Sequence, residues 1–176
     1  MRRFSFVLFT FLYTLPTWAQ DSLATRRELS RFTLYAGNPV GLINRLRVMG
    51  EIKVSNNKTL LASYTQFYGF VPGNQVYVEM RKYNLLLNVK PRYYYVKAGG
   101  GQSYGGGNYV LAGYGIGHQW NLHTAGKFFV QMTEGIKICV PFNGEVDTAP
   151  NGFKGLFYLA GPGAIFDFNI SIGFKL

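Results

Sequence analysis

The chain has 176 residues, a formal net charge of +10, one cysteine and two histidines. The single cysteine excludes an internal disulfide and a cysteine-based metal site, and two histidines leave little for metal or acid–base chemistry. Charged residues make up 15% of the chain and aromatic residues 17%, with 22 glycines, whereas charged residues are about a quarter of a typical soluble domain. Without a long apolar run after residue 20, this composition favours a membrane β-barrel over a helical membrane protein.

The first nineteen residues have the pattern of a secretory signal peptide. Two arginines precede an apolar run over 4–18, and small residues stand at positions −3 and −1 of a cleavage after Ala19. The sequence therefore predicts a signal peptide over 1–19 and a polar lead over 20–31. The alternative is a retained N-terminal anchor, but the run is shorter than the ~20 residues that a spanning helix needs.

From residue 32 onward, apolar and polar residues alternate with a period of two, which is typical of β-strands with two different faces. Most segments reach about 10 residues, the length at which a tilted strand crosses a membrane, whereas soluble strands average about 5–6. Turn-forming residues such as Asn56 separate them. The predicted strands are 32–40, 45–55, 60–70, 88–97, 107–120, 127–140, 153–161 and 166–176.

The segment QVYVEMRKY at 75–83 also alternates. Counting it would give nine strands, and a bacterial single-chain barrel with both ends on one side has an even number. We therefore interpret 75–83 as a strand extension and loop ahead of the fourth strand. The predicted fold is all-β, a closed antiparallel up-and-down transmembrane β-barrel of eight strands over 32–176, and ten strands is the alternative.

Charged residues recur on one face of the predicted strands. Arg or Lys facing lipid at mid-depth costs about 2–4 kcal/mol, so these charges are expected to point into the lumen. Glu134 falls on the lipid-facing set, and we expect a bulge at Gly135 to turn it inward toward Arg92 or Arg47. An eight-stranded lumen is just wide enough for side chains, which predicts an ion-paired core; a selectivity lining in a narrow pore is the alternative. The predicted lumen charge cluster comprises Arg47, Glu51, Lys53, Arg92, Glu134 and Lys137.

Aromatic residues lie near the predicted strand ends, as in the girdles at the two interfaces of membrane barrels. A stacking surface for nucleic acid is disfavoured because basic residues do not interleave on the same face. The predicted girdle comprises Tyr64, Tyr68, Tyr93, Tyr95, Trp120 and Phe128.

The closing stretch DFNISIGFKL is the most regular one in the chain. Its polar set, Asn169, Ser171 and Lys175, is expected to face the lumen or rim. As the last strand of a closed barrel it would pair with the first strand and remove the edges of the sheet. The side chains predicted to face lipid are Phe168, Ile170, Ile172, Phe174 and Leu176.

Four stretches resemble small outer-membrane β-barrels of Gram-negative bacteria. They are a strand with an inward Glu (GEIKV, Glu51), a basic-aromatic strand (PRYYYV, 91–96), a glycine-aromatic strand (GNYVLAGYGIGHQW) and the Asp-led DFNISIGFKL. The layout is similar to the eight-stranded group that includes outer-membrane proteins A and X, and closest to its uncharacterised members. The resemblance covers 32–176 and implies an outer-membrane location, with the final strand recognised by the barrel assembly machinery.

Residues suited to catalysis are not placed together by their spacing. His118 lies on an outward face and His123 in a turn, and neither is paired with a nucleophilic residue by its spacing in the sequence. The glycine-rich loop at 98–107 lacks the Gly-Lys-Ser/Thr ending of a phosphate cradle. We therefore predict no enzyme activity, no catalytic residues, no cofactor and no metal.

The positive charge predicts membrane lipids and lipopolysaccharide as partners, through basic residues at 81–82 and at Arg26 and Arg27. The predicted function is that of a small integral outer-membrane barrel, structural or binding an unknown ligand through its loops, without affinity for nucleic acid. One alternative is a narrow pore for ions or small solutes. Another is a secreted soluble barrel that binds an apolar ligand inside, like a lipocalin.

Overall fold

The computed structural model describes residues 29–37, 45–68, 72–85, 92–103, 107–122, 127–142, 152, 155, 157–158 and 161–176. The predicted signal peptide and the lead residues before Leu29, which include Arg26 and Arg27, lie outside the described residues. His123 and the residues 104–106 of the glycine-rich loop also lie outside them.

Eight antiparallel strands close into a barrel in which each strand pairs with the next and β8 pairs with β1. The predicted all-β fold and its strand number are thereby confirmed. The strands are β1 Phe32–Gly37, β2 Arg45–Lys53, β3 Lys58–Phe67, β4 Gly73–Tyr83, β5 Tyr93–Ser103, β6 Gly107–Asn121, β7 Phe128–Pro141 and β8 Phe166–Lys175.

The structures predicted for two segments are wrong. The segment 75–83, interpreted as an extension and loop, belongs to β4, which pairs with β3 and β5 along its whole length. The predicted seventh strand at 153–161 is wrong, because Phe157 and Tyr158 within it are helical. The predicted number of strands is nevertheless right, because the prediction leaves out the strand at 75–83 and counts 153–161 in its place. No helix among the described residues is both long and apolar enough to span a membrane.

The closure joins β8 to β1, as the alternation of the closing stretch predicts. Leu34 pairs with Phe174, and the Leu176 amide donates to the Phe32 carbonyl at 3.1 Å. Ser30 Oγ lies 2.8 Å from the Leu176 carbonyl oxygen. We call the end at which β1 begins and β8 ends the terminal end, and the opposite end the loop end.

The two faces of the barrel differ sharply in polarity. The inner face buries charged and polar side chains such as Arg47, Glu79 and Lys137, together with large aromatic rings. The outer face exposes apolar side chains along every strand. Examples, one from each strand in order, are Leu34, Val48, Tyr64, Val78, Val96, Val110, Ile138 and Ile172.

Inward-facing glycines make room for the largest interior side chains. A Cβ on Gly173 would come within 2.1 Å of the Phe129 ring, and a Cβ on Gly115 or Gly135 would come within 2.6 Å of the Tyr95 hydroxyl. Phe129 is fully buried and Tyr95 nearly so. The glycines of β6, β7 and β8 therefore leave space on the inner wall over which the rings of Tyr95 and Phe129 lie.

Candidate functional site

The terminal half of the lumen holds an ionic cluster around Glu51. Its carboxylate accepts hydrogen bonds from Tyr35 and Thr59, from the Tyr83 hydroxyl at 2.8 Å and from Arg81 Nη1 at 3.1 Å. Glu51 is 4% exposed and Arg81 1%. A buried carboxylate is tolerated when it is paired and its lone pairs are occupied, and four donors meet that condition here.

Arg81 is the centre of this cluster. Its Nε donates to Glu79 at 2.6 Å and its Nη1 to the Gln131 side-chain oxygen at 3.0 Å. The guanidinium also lies 4.5 Å from the Tyr93 ring centre and 5.3 Å from that of Tyr35. Arg81 thus links carboxylates of β2 and β4 to aromatic rings of β1 and β5 and to Gln131 of β7, so its contacts cross the lumen at this depth.

A second group, the loop-half cluster, consists of Arg47, Lys97, Lys137 and Asp167. Lys97 donates to Asp167, which also accepts from the Tyr95 hydroxyl at 2.8 Å. Arg47 donates to Thr65 at 2.9 Å. Lys137 donates to the Pro162 carbonyl at 2.7 Å.

The loop end is covered by the segment that precedes β8. Phe157 is fully buried and meets Tyr109 edge to face, with ring centres 5.7 Å apart. A Cβ on Gly163 would come within 2.3 Å of the Phe157 ring. Pro162 accepts from Lys137 and, at 3.4 Å, from the Cys139 thiol. Phe157 and Pro162 therefore lie inside the loop end of the barrel, where the Pro162 carbonyl is hydrogen-bonded to β7.

A small opening lies at the terminal end. It measures about 20 Å³ and is lined by Glu51, Tyr35, Thr59, Tyr83 and five other residues. A volume of this size holds about one water molecule. It gives water access to the Glu51 carboxylate but has no room for an organic ligand.

The predicted lumen charges do not form one group. Arg47, Glu51, Lys137 and Arg92 are buried, each no more than 7% exposed, but Glu51 lies in the terminal half and Arg47 and Lys137 lie in the loop half. Lys53 ends β2 at the rim, in the inner-face register opposite the buried Thr59, and its side chain is exposed. It therefore lies at the end of the lumen and not among the buried charges.

The expectation for Glu134 is also wrong. The β6–β7 ladder runs without a bulge, and Glu134 pairs with Ile116 on the outer face. Its carboxylate, 44% exposed, lies 3.2 Å from His118 Nε2, and His118 stacks on Trp120. Glu134 therefore has a polar partner on the neighbouring strand without turning inward.

Among the described residues, four buried charged side chains are absent from the predicted cluster: Glu79, Arg81, Lys97 and Asp167. The prediction omits Glu79 and Arg81 because it assigns 75–83 to a strand extension and loop, and for the same reason it places Arg81 among the lipid-binding basic residues. Lys97 was missed because the faces of β5 were reversed. Asp167 lies on the same face of β8 as Asn169, but its Lys97 partner is 70 residues away in sequence, and no local pattern reveals that pairing.

The predicted aromatic girdle divides into two sets. Tyr64 and Tyr68 are exposed near the loop end, and Trp120 and Phe128 lie on the outer face near the terminal end. Tyr93 and Tyr95 instead point inward, 0% and 3% exposed. The strand begins at Tyr93, after a bend at Arg92, so the alternation cannot be continued backward from Tyr93 to the buried arginine.

The closing strand has the predicted faces. Phe168, Ile172 and Leu176 are exposed, and Ile170 and Phe174 are half-buried on the same outer side. Asn169 and Ser171 are buried inside. Recognition of this strand by an assembly machinery stays a prediction.

No group of three or more His, Cys, Asp or Glu side chains is arranged to hold a metal ion in the described part of the chain. The comparison with protein-family models, with curated proteins and with solved structures found no match to this chain.

Proposed function

We propose that this chain is a small integral outer-membrane β-barrel protein that is not an enzyme and acts structurally or through its loops. The observation that carries the proposal is the polarity of the two faces. Arg47, Arg81 and Lys137 are 2% exposed or less, while Val78, Val96 and Ile138 are between 47% and 69% exposed. In water this arrangement would expose the apolar face, whereas in lipid it is the favourable one.

The outer aromatics are consistent with a bilayer. Tyr64 and Tyr68 lie toward one end of the barrel, and Trp120 and Phe128 toward the other, where Phe128 also packs against Phe174 with ring centres 4.7 Å apart. Tyr and Trp favour the two membrane–water interfaces because their rings are apolar and carry a polar group. The half-exposed Glu134 beside Trp120 fits the same interface.

The filled lumen favours a structural or binding role over a pore. Arg81 with its partners occupies the terminal half, and Phe157 occupies the mouth at the loop end. A conducting pore would need both to move. The pore remains the alternative with a direct test, which is conductance in a planar bilayer.

The interior also gives little support to a lipocalin-like carrier. A soluble carrier of an apolar ligand needs an apolar cavity, whereas charged side chains cross this lumen at two depths. Membrane lipids, lipopolysaccharide and the barrel assembly machinery are the partners that the membrane proposal implies. The ligand of the loops is not part of the proposal.

Cell fractionation of the expressed full-length chain tests the proposal. Recovery in the outer-membrane fraction, with faster migration of the unheated than of the boiled protein on a gel, is expected for a folded membrane barrel. Recovery in the soluble periplasm or the medium would overturn it and favour the secreted carrier.

A further inference from the structure

One acidic side chain interrupts the apolar outer wall formed by β6, β7 and β8. Among the described residues of these three strands, Glu134 is the one charged side chain that faces outward. Its neighbours in the two ladders are Ile116 and Phe168, and its carboxylate is 44% exposed. An ionisable side chain on a lipid-facing wall is expensive, which makes Glu134 a candidate functional residue.

The Glu134 carboxylate is directed toward the terminal end of the barrel. Glu134 pairs with Ile116 in the β6–β7 ladder, but its Oε1 lies 3.2 Å from Nε2 of His118. His118 is two residues further along β6, toward the end of the strand at Asn121. Long polar side chains reach in this way toward the membrane–water interface, so the carboxylate approaches the headgroups of the leaflet at the terminal end.

An indole ring lies on the same side, next to His118. The rings of His118 and Trp120 are stacked, with centres 5.9 Å apart and planes inclined by 16°, and Trp120 is one residue from the end of β6. Tryptophan is enriched at the level of the lipid headgroups. We call Glu134, His118 and Trp120 the outer cluster, and its position is that of an interfacial site.

The outer cluster has an unused acceptor. The contact with His118 occupies Oε1 of Glu134, whereas Oε2 accepts no hydrogen bond from the described residues. A carboxylate can accept several hydrogen bonds, and a neutral imidazole adds no charge to the pair. The outer cluster is therefore complementary to a positively charged group that carries N–H donors, and it repels a phosphate.

We propose that the outer cluster binds the primary ammonium headgroup of a phospholipid in the leaflet at the terminal end, with Glu134 Oε2 as the acceptor. A quaternary ammonium headgroup has no N–H to donate, and a glycerol headgroup has no positive charge. The acyl chains of the bound lipid would lie along the apolar outer side chains of β7 and β8. The proposal rests on the membrane function, because a barrel in a bilayer presents this face to lipid.

The single tryptophan of the processed chain provides the test. Removal of residues 1–19 takes away Trp18 and leaves Trp120. The processed protein is reconstituted in phosphatidylglycerol vesicles that contain brominated phosphatidylethanolamine or, at the same mole fraction, brominated phosphatidylcholine. Bromine on the acyl chains quenches tryptophan fluorescence at short range, so quenching reports which lipid lies beside Trp120. A preference of about two- to fivefold for phosphatidylethanolamine is expected, the range that a partly exposed ion pair supplies.

The two ways in which this experiment can fail are distinguishable. Equal quenching by the two brominated lipids would overturn the headgroup site and leave the membrane function standing. Absence of quenching by either lipid would mean that Trp120 does not face a bilayer, and it would overturn the membrane function and the headgroup site together.

A conservative variant and a matched control locate the preference. Glu134→Gln keeps the shape of the side chain and removes its charge, so the two lipids should then quench Trp120 equally. Lys82→Met also removes one charge, at an exposed outer position on β4, and should keep the full preference. A preference that survives Glu134→Gln would overturn the assignment.

A lipid series tests the site without any variant. Unbrominated phosphatidylethanolamines with no, one or two methyl groups on the nitrogen keep at least one N–H, whereas phosphatidylcholine keeps none. Each of the first three should displace brominated phosphatidylethanolamine from Trp120 better than phosphatidylcholine does. Displacement that does not depend on the presence of an N–H would contradict the proposal.

Discussion

The ring of Tyr93 lies so close to Gly117, its partner across the β5–β6 ladder, that a Cβ on Gly117 would come within 2.0 Å of the ring's Cζ atom. Tyr93 is fully buried and carries the Arg81 guanidinium 4.5 Å from its ring centre. Gly117 on β6 thus leaves the space that the Tyr93 ring occupies, and Arg81 of the terminal ionic cluster packs on that ring.

Gly117→Ala should therefore destabilise the barrel by about 1–3 kcal/mol, the usual cost of overpacking a filled interior. Urea unfolding in micelles measures the change. Gly50→Ala is the matched control, because a Cβ there meets the Phe32 ring at an ordinary 3.7 Å and should change little. Adding Tyr93→Leu to Gly117→Ala should remove most of the steric term, and equal costs for the two glycines would contradict the explanation.

The period-two pattern predicted the closing strand well and β5 poorly, for one physical reason. In β8, large apolar residues alternate with polar residues or glycine from Phe166 to Lys175, so the side facing the lumen is evident. In β5, three consecutive tyrosines from Tyr93 to Tyr95 give the two faces the same chemistry. Only Lys97, two residues after Tyr95, marks the inner side, and the buried Arg92 before the strand suggests the opposite one.

The sequence predicts that charged side chains are buried in the lumen, but it does not predict which of them form ion pairs. Barrel closure and the cost of charge in lipid are enough to expect buried Arg47 and Glu51. The partner of Glu51 is Arg81, which is 30 residues away in sequence, and that choice depends on the register of strands β2 to β4. The Glu134 error shows the converse, since a single neighbouring His118 satisfies a carboxylate for which an inward bulge had seemed necessary.

Arg81→Met should be among the most damaging single changes. It leaves the carboxylates of Glu51 and Glu79 buried without their cation, and breaking such a pair costs about 3–5 kcal/mol. Equilibrium unfolding in urea measures the loss. Combining Arg81→Met with Glu51→Gln and Glu79→Gln removes the uncompensated charge and should recover part of the stability.

The matched control for that prediction is Glu134→Gln. Its pair with His118 is on the outer face and 44% exposed on the Glu134 side, so about 0–1 kcal/mol is expected. A loss as large as that of Arg81→Met would mean that the outer pair, and not the lumen cluster, dominates the electrostatic stability.

The unmutated protein should give no steady conductance in planar bilayers, because the Arg81 cluster crosses the terminal half of the lumen and Phe157 lies inside the loop end. Phe157→Ala removes the ring from the loop end and should cost about 3–5 kcal/mol of stability. It should still not conduct, since the Arg81 cluster crosses the terminal half. Steady conductance of the unmutated protein would instead favour the narrow pore.

Lysine substitution on the outer face separates a membrane barrel from a soluble one. Val78 lies at the middle of β4 and is 47% exposed, while Val54, 63% exposed, follows the last residue of β2. In a bilayer, Val78→Lys should cost about 2–4 kcal/mol, and Val54→Lys at the rim about 0–1 kcal/mol. In water, both changes at exposed sites should stay within about 0.5 kcal/mol. Urea unfolding of both variants in phospholipid vesicles measures the difference, and equal small effects would contradict the membrane proposal.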